Sequence, residues 1–421
     1  MGNKEKTTST YQMIIGDDIG NGCVKGSIKV NAGKLERFDF QSVVALDRKS
    51  KKSAIDESDI KNIIDDIFNT MEVSFDSPAI MKAPRNAHYL VGESALSKEF
   101  IMEFDVSDNQ SKAEKDVSSM LTLATIAGKA LQTYYAENKT LPEEVITVDG
   151  LLAMALPIAE YVKGYDETYK KKLLNSDHIV TIHNFQIPIT VKIRFSNVGV
   201  LAEGSAAQFA INKLTPELLN GMLDEARKNG MNLDGIEARH IIAAESTIGI
   251  DIGDGTVNFP VFTNGKFDKN RSDSINSGHG KILEEAAEDL RDNYELDFNR
   301  KDLSSFLNNP PDENAAPSKL QRYKLVAEVV ENHEIELAEA ICKKLNRIKG
   351  KMPQLDSIFV YGGGATPVQP YLYSRLIDCA KIGNSDMMVP VLYLDSEFSR
   401  FLNREGLYTV AEAIAESQKG A

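Results

Sequence analysis

The sequence predicts an α/β protein built around a duplicated strand-loop-strand unit, and three observations carry that reading. The run Asp18-Ile19-Gly20-Asn21-Gly22 recurs almost letter for letter as Asp251-Ile252-Gly253-Asp254-Gly255. Each copy follows a short apolar run that reads as a buried strand, and segments with apolar residues at helical spacing lie between and after the copies. At 421 residues the chain exceeds the usual size of one hydrophobic core, so two domains or more are expected.

The duplication extends beyond the five letters. Val24 and Val257 both lie six residues after their Asp, and Asn31 and Asn264 both lie thirteen after. The first copy reads as a strand from Gln12 to Gly16, a Gly-rich turn, a strand from Cys23 to Val30, a hairpin at Asn31-Ala32-Gly33-Lys34, and a strand from Leu35 to Phe40. The second reads as Thr247 to Ile252, a turn, Thr256 to Phe262, and a hairpin at Asn264-Gly265-Lys266, where Asn-Gly chemistry favours positive φ. Such a tip has a physical use: glycines let backbone N–H groups approach an anion closely, and the Asp can hold a metal ion or its water shell.

Residues 1–10 are polar and read as a disordered tail. A charged loop at 47–52 precedes a helix from Glu57 to Met71, with Ile60, Ile63, Ile64 and Ile67 at helical spacing. A short strand from His88 to Val91 and a polar stretch over 105–115 lead to an apolar helix from Val117 to Tyr135, so that 41–115 reads as an insertion. Val145 to Leu156 is strand-like, and Ile179 to Ile182 with Phe185 to Ile193 reads as a hairpin around His183-Asn184. Asn197 to Val200 then leads into Ala202-Glu203-Gly204-Ser205, which opens a helix. A polar helix from Pro216 to Lys228 bridges to the second copy. Beyond it, Ser277-Gly278-His279-Gly280 opens a helix through Leu290, and 308–314 is a loop by composition. A long helix spans Lys319 to Ile348, and a buried strand from Ser357 to Tyr361 runs straight into Gly362-Gly363-Gly364. A strand from Val391 to Leu394 and a last helix from Gly406 to Glu416 close the chain.

Composition narrows the class. Hydrophobic content of 42% with 26% charged residues suits a soluble globular protein. No stretch approaches the roughly 18 to 20 uncharged apolar residues of a membrane span, and MGNKEKTTST lacks the apolar core of a signal peptide, so a cytoplasmic location without membrane contact is expected. Cys23, Cys342 and Cys379 form no Cys-x-x-Cys pair, which argues against a disulfide framework or a cysteine zinc site. A net charge of −14 argues against direct nucleic-acid binding, which needs clustered Lys and Arg.

Asp18-x-Gly20-x-Gly22-x-x-Lys25, Glu203 at the head of a helix, Asp251-x-Gly253-x-Gly255-Thr256, Gly362-Gly363-Gly364 after a strand, and Asn403-x-x-Gly406 before a terminal helix resemble five motifs of one superfamily. This is the actin, heat-shock chaperone and sugar-kinase superfamily, whose motifs stand in the same order. The resemblance spans residue 14 to about 416, and within the superfamily it points to the bacterial plasmid-segregation actins of the ParM and Alp type. It implies two actin-like (ribonuclease H-like) domains flanking a nucleotide cleft, each with an inserted subdomain. Domain I would cover 11–200, with its insertion at about 41–115, completed by a C-terminal helix over 403–421. Domain II would cover 201–402, with an insertion at about 281–345.

The resemblance also implies chemistry. ATP or GTP with Mg²⁺ would be held by Gly20, Asn21, Gly22 and Lys25, by Gly253, Asp254, Gly255 and Thr256, and by Gly362, Gly363 and Gly364. Asp18 and Asp251 would serve the metal, and Glu203, with those two, would carry catalysis by orienting the attacking water. The implied function is a filament-forming NTPase that segregates plasmid DNA, its partners being itself and an adaptor protein bound to centromere DNA. The acidic surface agrees with a basic adaptor. A small-molecule kinase of the same superfamily is the alternative, but no extra carboxylate base stands out for it. A chaperone would need a substrate-binding region, for which the chain as given leaves no room after its last helix.

Each motif also has a plainer reading. A lone Asp-x-Gly-x-Gly is more often a turn than a phosphate site; two copies in matched context favour function. Glu203 could simply favour the positive end of a helix, Lys25 could be a solvated strand residue, and Gly362 to Gly364 a close-packed bend. His279 reads as a local turn residue, and His178 with His183 as a surface hairpin feature.

Overall fold

A computed structural model describes residues 9–47, 57–98, 100–102, 104, 111–383, 387–394 and 396–419. Residues 1–8 of the expected tail, most of the charged loop at 47–52 and positions 105–110 of the polar stretch lie outside the described residues. The chain forms two compact units, one comprising Met1–Ala210 with Asn403–Ala421, the other Ile211–Leu402.

The first unit is organised by the strand Ile146–Leu156, which pairs in parallel with Thr10–Ile19 on one side and with Ile189–Ala202 on the other. Thr10–Ile19 continues antiparallel into Cys23–Val30 and then Leu35–Gln41. The opposite edge runs through Asp177–Ile182, Glu72–Asp76, Tyr89–Val91, Val44–Leu46 and Ile101–Met102, so strands from the 41–115 segment extend the same sheet. Strand period decides the packing, because alternate residues of a strand face opposite sides. Leu152, Met154 and Leu156 join one core with the helix Asp116–Asn138, while Leu151, Ala153 and Ala155 join another with Leu407, Ala411 and Ala415 of the helix Leu402–Lys419. Both faces are covered, which is why this strand reads as a nearly continuous apolar run.

The second unit repeats the plan. Thr247–Ile252 pairs in parallel with Ser357–Tyr361, which pairs in parallel with Val391–Tyr393. On its other side lie the antiparallel strands Val257–Phe259 and Val261–Thr263, followed by Asp273–Ile275 and Lys266–Phe267. Thr247–Ile252 is buried throughout, and Asn31 and Asn264, at matching positions in the two copies, both take positive φ, 50° and 53°.

Several elements differ from the sequence reading for identifiable reasons. The expected strand from Thr256 to Phe262 is broken at Pro260, which has no N–H for a ladder. The helix from Glu57 to Met71 is two helices, Glu57–Asp65 and Ile67–Thr70. Phe185 to Ile193 and Asn197 to Val200 are not separate pieces: one long strand, Ile189–Ala202, spans both, with an irregularity between Phe195 and Asn197. His178 is no surface feature but fully buried, its ring bonded to the Ser77 hydroxyl and the Leu173 carbonyl. The helix Ala365–Ala380 was hidden by Pro370 in its interior, and Arg300–Asn308 by its polar sequence.

Glycine closes the first unit around its last helix. A Cβ on Gly406 would overlap the carbonyl of Ala206, and one on Gly16 would overlap the backbone of Tyr408. Helix Leu402–Lys419 therefore lies against strand Thr10–Ile19 and helix Ser205–Ile211 at backbone distance. Gly221, inside the helix Pro216–Lys228, has open space instead. Gly406→Ala is expected to destabilise by about 1–3 kcal/mol or more through overpacking, and Gly221→Ala to stabilise by about 0.5–1 kcal/mol through helix propensity. Urea denaturation midpoints of the two variants check both signs.

Candidate functional site

The first half-site lies where Thr10–Ile19 turns into Cys23–Val30. The Gly20 amide donates to the Cys23 carbonyl at 3.0 Å, which closes the loop and sets Asp18 directly opposite Lys25 across the strands. Asp17 and Asp18 point to opposite faces. Asp17 lies among the core side chains, where the Thr122 hydroxyl of helix Asp116–Asn138 donates to its Oδ2 at 2.8 Å. Burial pushes its carboxyl up to about 7, against the Thr122 bond and with the neighbouring Asp18 charge adding to the rise.

Asp18 keeps some exposed surface, yet the protein around its carboxyl is dense enough that desolvation raises its pKa. Lys25, Lys112 and Arg404 pull that pKa down, and Glu203 pushes it up. Five charged groups thus converge around one loop. Glu203 follows directly on the strand Ile189–Ala202; its amide donates to the Leu156 carbonyl at 2.6 Å, and Gly204 takes a φ of 76° before the helix Ser205–Ile211 begins. The Lys112 ammonium donates to Glu203 Oε1 at 2.7 Å.

The second loop repeats the turn-closing bond of the first. The Gly253 amide donates to the Thr256 carbonyl at 2.9 Å, and Asp251 stands opposite Asn258 across the strands. Asn258 Nδ2 donates in turn to the Thr256 hydroxyl at 3.2 Å. Gly362, with φ 99°, packs against Asp251: a Cβ there would meet Asp251 Oδ1 and the Ile252 carbonyl. The Gly364 amide donates to the Ile252 carbonyl at 2.8 Å, and Gly363 alone of the three glycines faces open space. Asp254 is held by Arg300 Nη1 at 2.8 Å and abuts Gly280.

Three residues that the sequence left without a role, or misread, belong to these half-sites. Lys112 and Arg404 reach the first loop from a short turn and from the last helix, distant in sequence, and the Asn403-x-x-Gly406 pattern leaves the Arg404 position unspecified. His279 is not a mere turn residue. It begins the helix His279–Tyr294, its amide donates to the Gly253 carbonyl at 3.0 Å, and its Nε2 pairs with Glu334 Oε1 at 2.9 Å. Its side chain also stands against Gly364, so it ties the second loop to the glycine triplet.

The profile of the family described as actin-like proteins, N-terminal domain, matches residues 16–205. Solved structures share the fold across nearly the whole chain. The actin-like protein Alp7A superposes with a TM-score of 0.60 at 15% identity, covering 98% of each chain. The family model thus covers residues 16–205 of the 421, and the solved structures show a shared fold. ParM of Bacillus thuringiensis, solved with ATP, gives a TM-score of 0.58 at 16% identity over 96% of this chain and 99% of its own. A non-polymerisable quadruple mutant of pCBH ParM gives 0.58 at 20% identity over 96% and 100%. No curated protein matches the chain in sequence. Among the described residues of this chain two sheets, one of ten strands and one of seven, carry the fold. No helix among the described residues is long and apolar enough to cross a membrane.

The Asp17 carboxyl carries a pH prediction. Its folded pKa is raised, so the stability it contributes is present below its ordinary value and is lost as pH rises through about 7. Asp17→Asn is therefore expected to gain stability relative to the wild type between about pH 5 and about pH 8. Urea midpoints of both proteins at the two pH values measure that difference.

Proposed function

We propose that this chain is a nucleoside-triphosphatase that binds ATP or GTP with Mg²⁺ through its two phosphate loops and polymerises in the nucleotide-bound state. The observation that carries the reading is the turn that the two loops share. Each presents an aspartate at a strand end and a glycine amide closing the same turn, the kind of backbone that can receive an anion. Structures of Bacillus thuringiensis ParM with ATP, ADP and AMPPNP lend support to nucleotide binding. The pCBH mutant's description as non-polymerisable supports assembly, since it implies a polymerising parent.

The donor set fits Mg²⁺, a hard cation that dehydrates reluctantly and is usually held by one or two carboxylates together with phosphate oxygens and water. Asp18 and Asp251 would hold it, and once bound it would neutralise charge on the transferred phosphoryl group. Gly20, Asn21, Gly22 and Lys25 would receive phosphate oxygens on the first loop, and Gly253, Asp254, Gly255 and Thr256 on the second, with Asp254 anchored by Arg300. Gly362, Gly363 and Gly364 would offer a flat backbone surface to the nucleoside. Glu203 would orient the attacking water and accept its proton. In the cell the polymer would move plasmid DNA through a basic adaptor bound to centromere DNA, as the net charge of −14 allows.

Glu203→Gln is expected to leave nucleotide affinity largely intact and to slow single-turnover hydrolysis by about 10² to 10⁴, the usual yield of a general base; an unchanged rate removes Glu203 from that role. Light scattering and pelleting after addition of Mg²⁺ with ATP or GTP test assembly. Polymer that forms with nucleotide and decays as phosphate is released is expected. A nucleotide-bound monomer at high protein concentration, or ADP release that depends on an added sugar or carboxylate, would overturn it in favour of a kinase.

A further inference from the structure

The turn that carries Lys112 is built more firmly than a surface loop requires. Ser111 caps it by accepting the Ala113 amide at 3.1 Å, and the Lys112 amide donates to Glu160 Oε1 at 2.9 Å. The Ser111 hydroxyl donates to the other oxygen of the same Glu160 carboxylate, and Lys172 donates to the Ala113 carbonyl at 2.6 Å. Two helices, Ile158–Val162 and Tyr165–Leu173, thus clamp a three-residue turn, Lys112–Glu114. Lys112 itself is only 5% exposed, its ammonium 5.6 Å from the centre of the Phe104 ring and bonded to Glu203 Oε1. A buried, anchored ammonium aimed at a carboxylate fixes the rotamer of that carboxylate.

We propose that Lys112 is a positioning residue for hydrolysis, holding the Glu203 carboxylate in the orientation that the attacking water requires. The inference rests on the reading of Glu203 as the base. In that step the water oxygen bonds to the γ-phosphorus while the bond to the bridging oxygen breaks, the electron pair staying with the diphosphate. The water's proton passes to Glu203, which then returns it to the released phosphate. Glu203 and Asp18 carry like charge around one loop, and Lys112 attracts both. Without its ammonium the two carboxylates repel and Glu203 turns away, which leaves the water without an acceptor.

The test is a split between binding and rate in the full chain, using a fluorescent ATP analogue for affinity and single-turnover phosphate release for chemistry. Lys112→Met is expected to keep affinity within about threefold and to lose about 10- to 100-fold in rate, the scale of a misplaced catalytic group. Lys112→Arg, which restores the cation, is expected to recover most of that loss. In a Glu203→Gln background, adding Lys112→Met is expected to change the rate by no more than about twofold, because a residue that acts through another is non-additive with it. This double variant removes both charges, so it keeps the test open if Lys112→Met alone fails to fold. A wild-type rate in Lys112→Met, an affinity loss as large as the rate loss, or a full further loss in the Glu203→Gln background each overturns the proposal. A wild-type rate in Glu203→Gln alone instead overturns the base assignment, so the two failures are distinguishable.

Discussion

An ionised carboxylate at the end of a buried strand is costly, and the first unit is arranged around that cost. Removing such a charge from water takes several kcal/mol unless cations and hydrogen bonds compensate. The loop at Gly20–Gly22 sets Lys25 opposite Asp18, the turn at Lys112 brings a second cation, and the last helix brings Arg404. Even so, burial outweighs all three and the Asp18 pKa stays raised. A group kept at such a cost is suited to a charge that arrives with a ligand, and a bound Mg²⁺ would favour its ionised form.

The same constraint explains the glycines. Arg404 can approach Asp18 only if the helix Leu402–Lys419 lies at backbone distance from the central strand, and Gly16 and Gly406 make that approach possible. In the second unit Gly362, Gly364, Gly278 and Gly280 admit the glycine triplet and the His279 helix against the loop around Asp251 and Asp254. There His279 and Glu334 form the polar tie between a helix start and a long helix, while Arg300 holds Asp254. The two units share a loop but stabilise it with different partners: cations around Asp18, close backbone packing around Asp251.

Much of this was legible in the chain. The duplicated Asp-Ile-Gly-x-Gly, the paired Asn turns and the strand before Gly362 are each written in a few consecutive residues, so local turn chemistry and strand period suffice to read them. Lys25 opposite Asp18 follows from hairpin register, and Asn258 opposite Asp251 follows in the same way. Lys112 and Arg404 could not be read this way, because each reaches the loop from a segment about a hundred residues or more away, Lys112 outside any motif and Arg404 at an unspecified position of Asn403-x-x-Gly406. The buried place of His178 was equally hidden, since its partners Ser77 and Leu173 come from other elements.

The sequence by itself therefore determined the repeat, the order of the motifs and the strands that present them, because backbone conformation at a glycine turn depends on near neighbours. Tertiary structure decided which charges meet. Whether Lys112 faces solvent or Glu203 depends on how Glu160 and Lys172 clamp its turn, and whether Arg404 reaches Asp18 depends on two glycines in different elements. Electrostatic partnership is a property of folded distance, and strand and turn propensities carry no information about it.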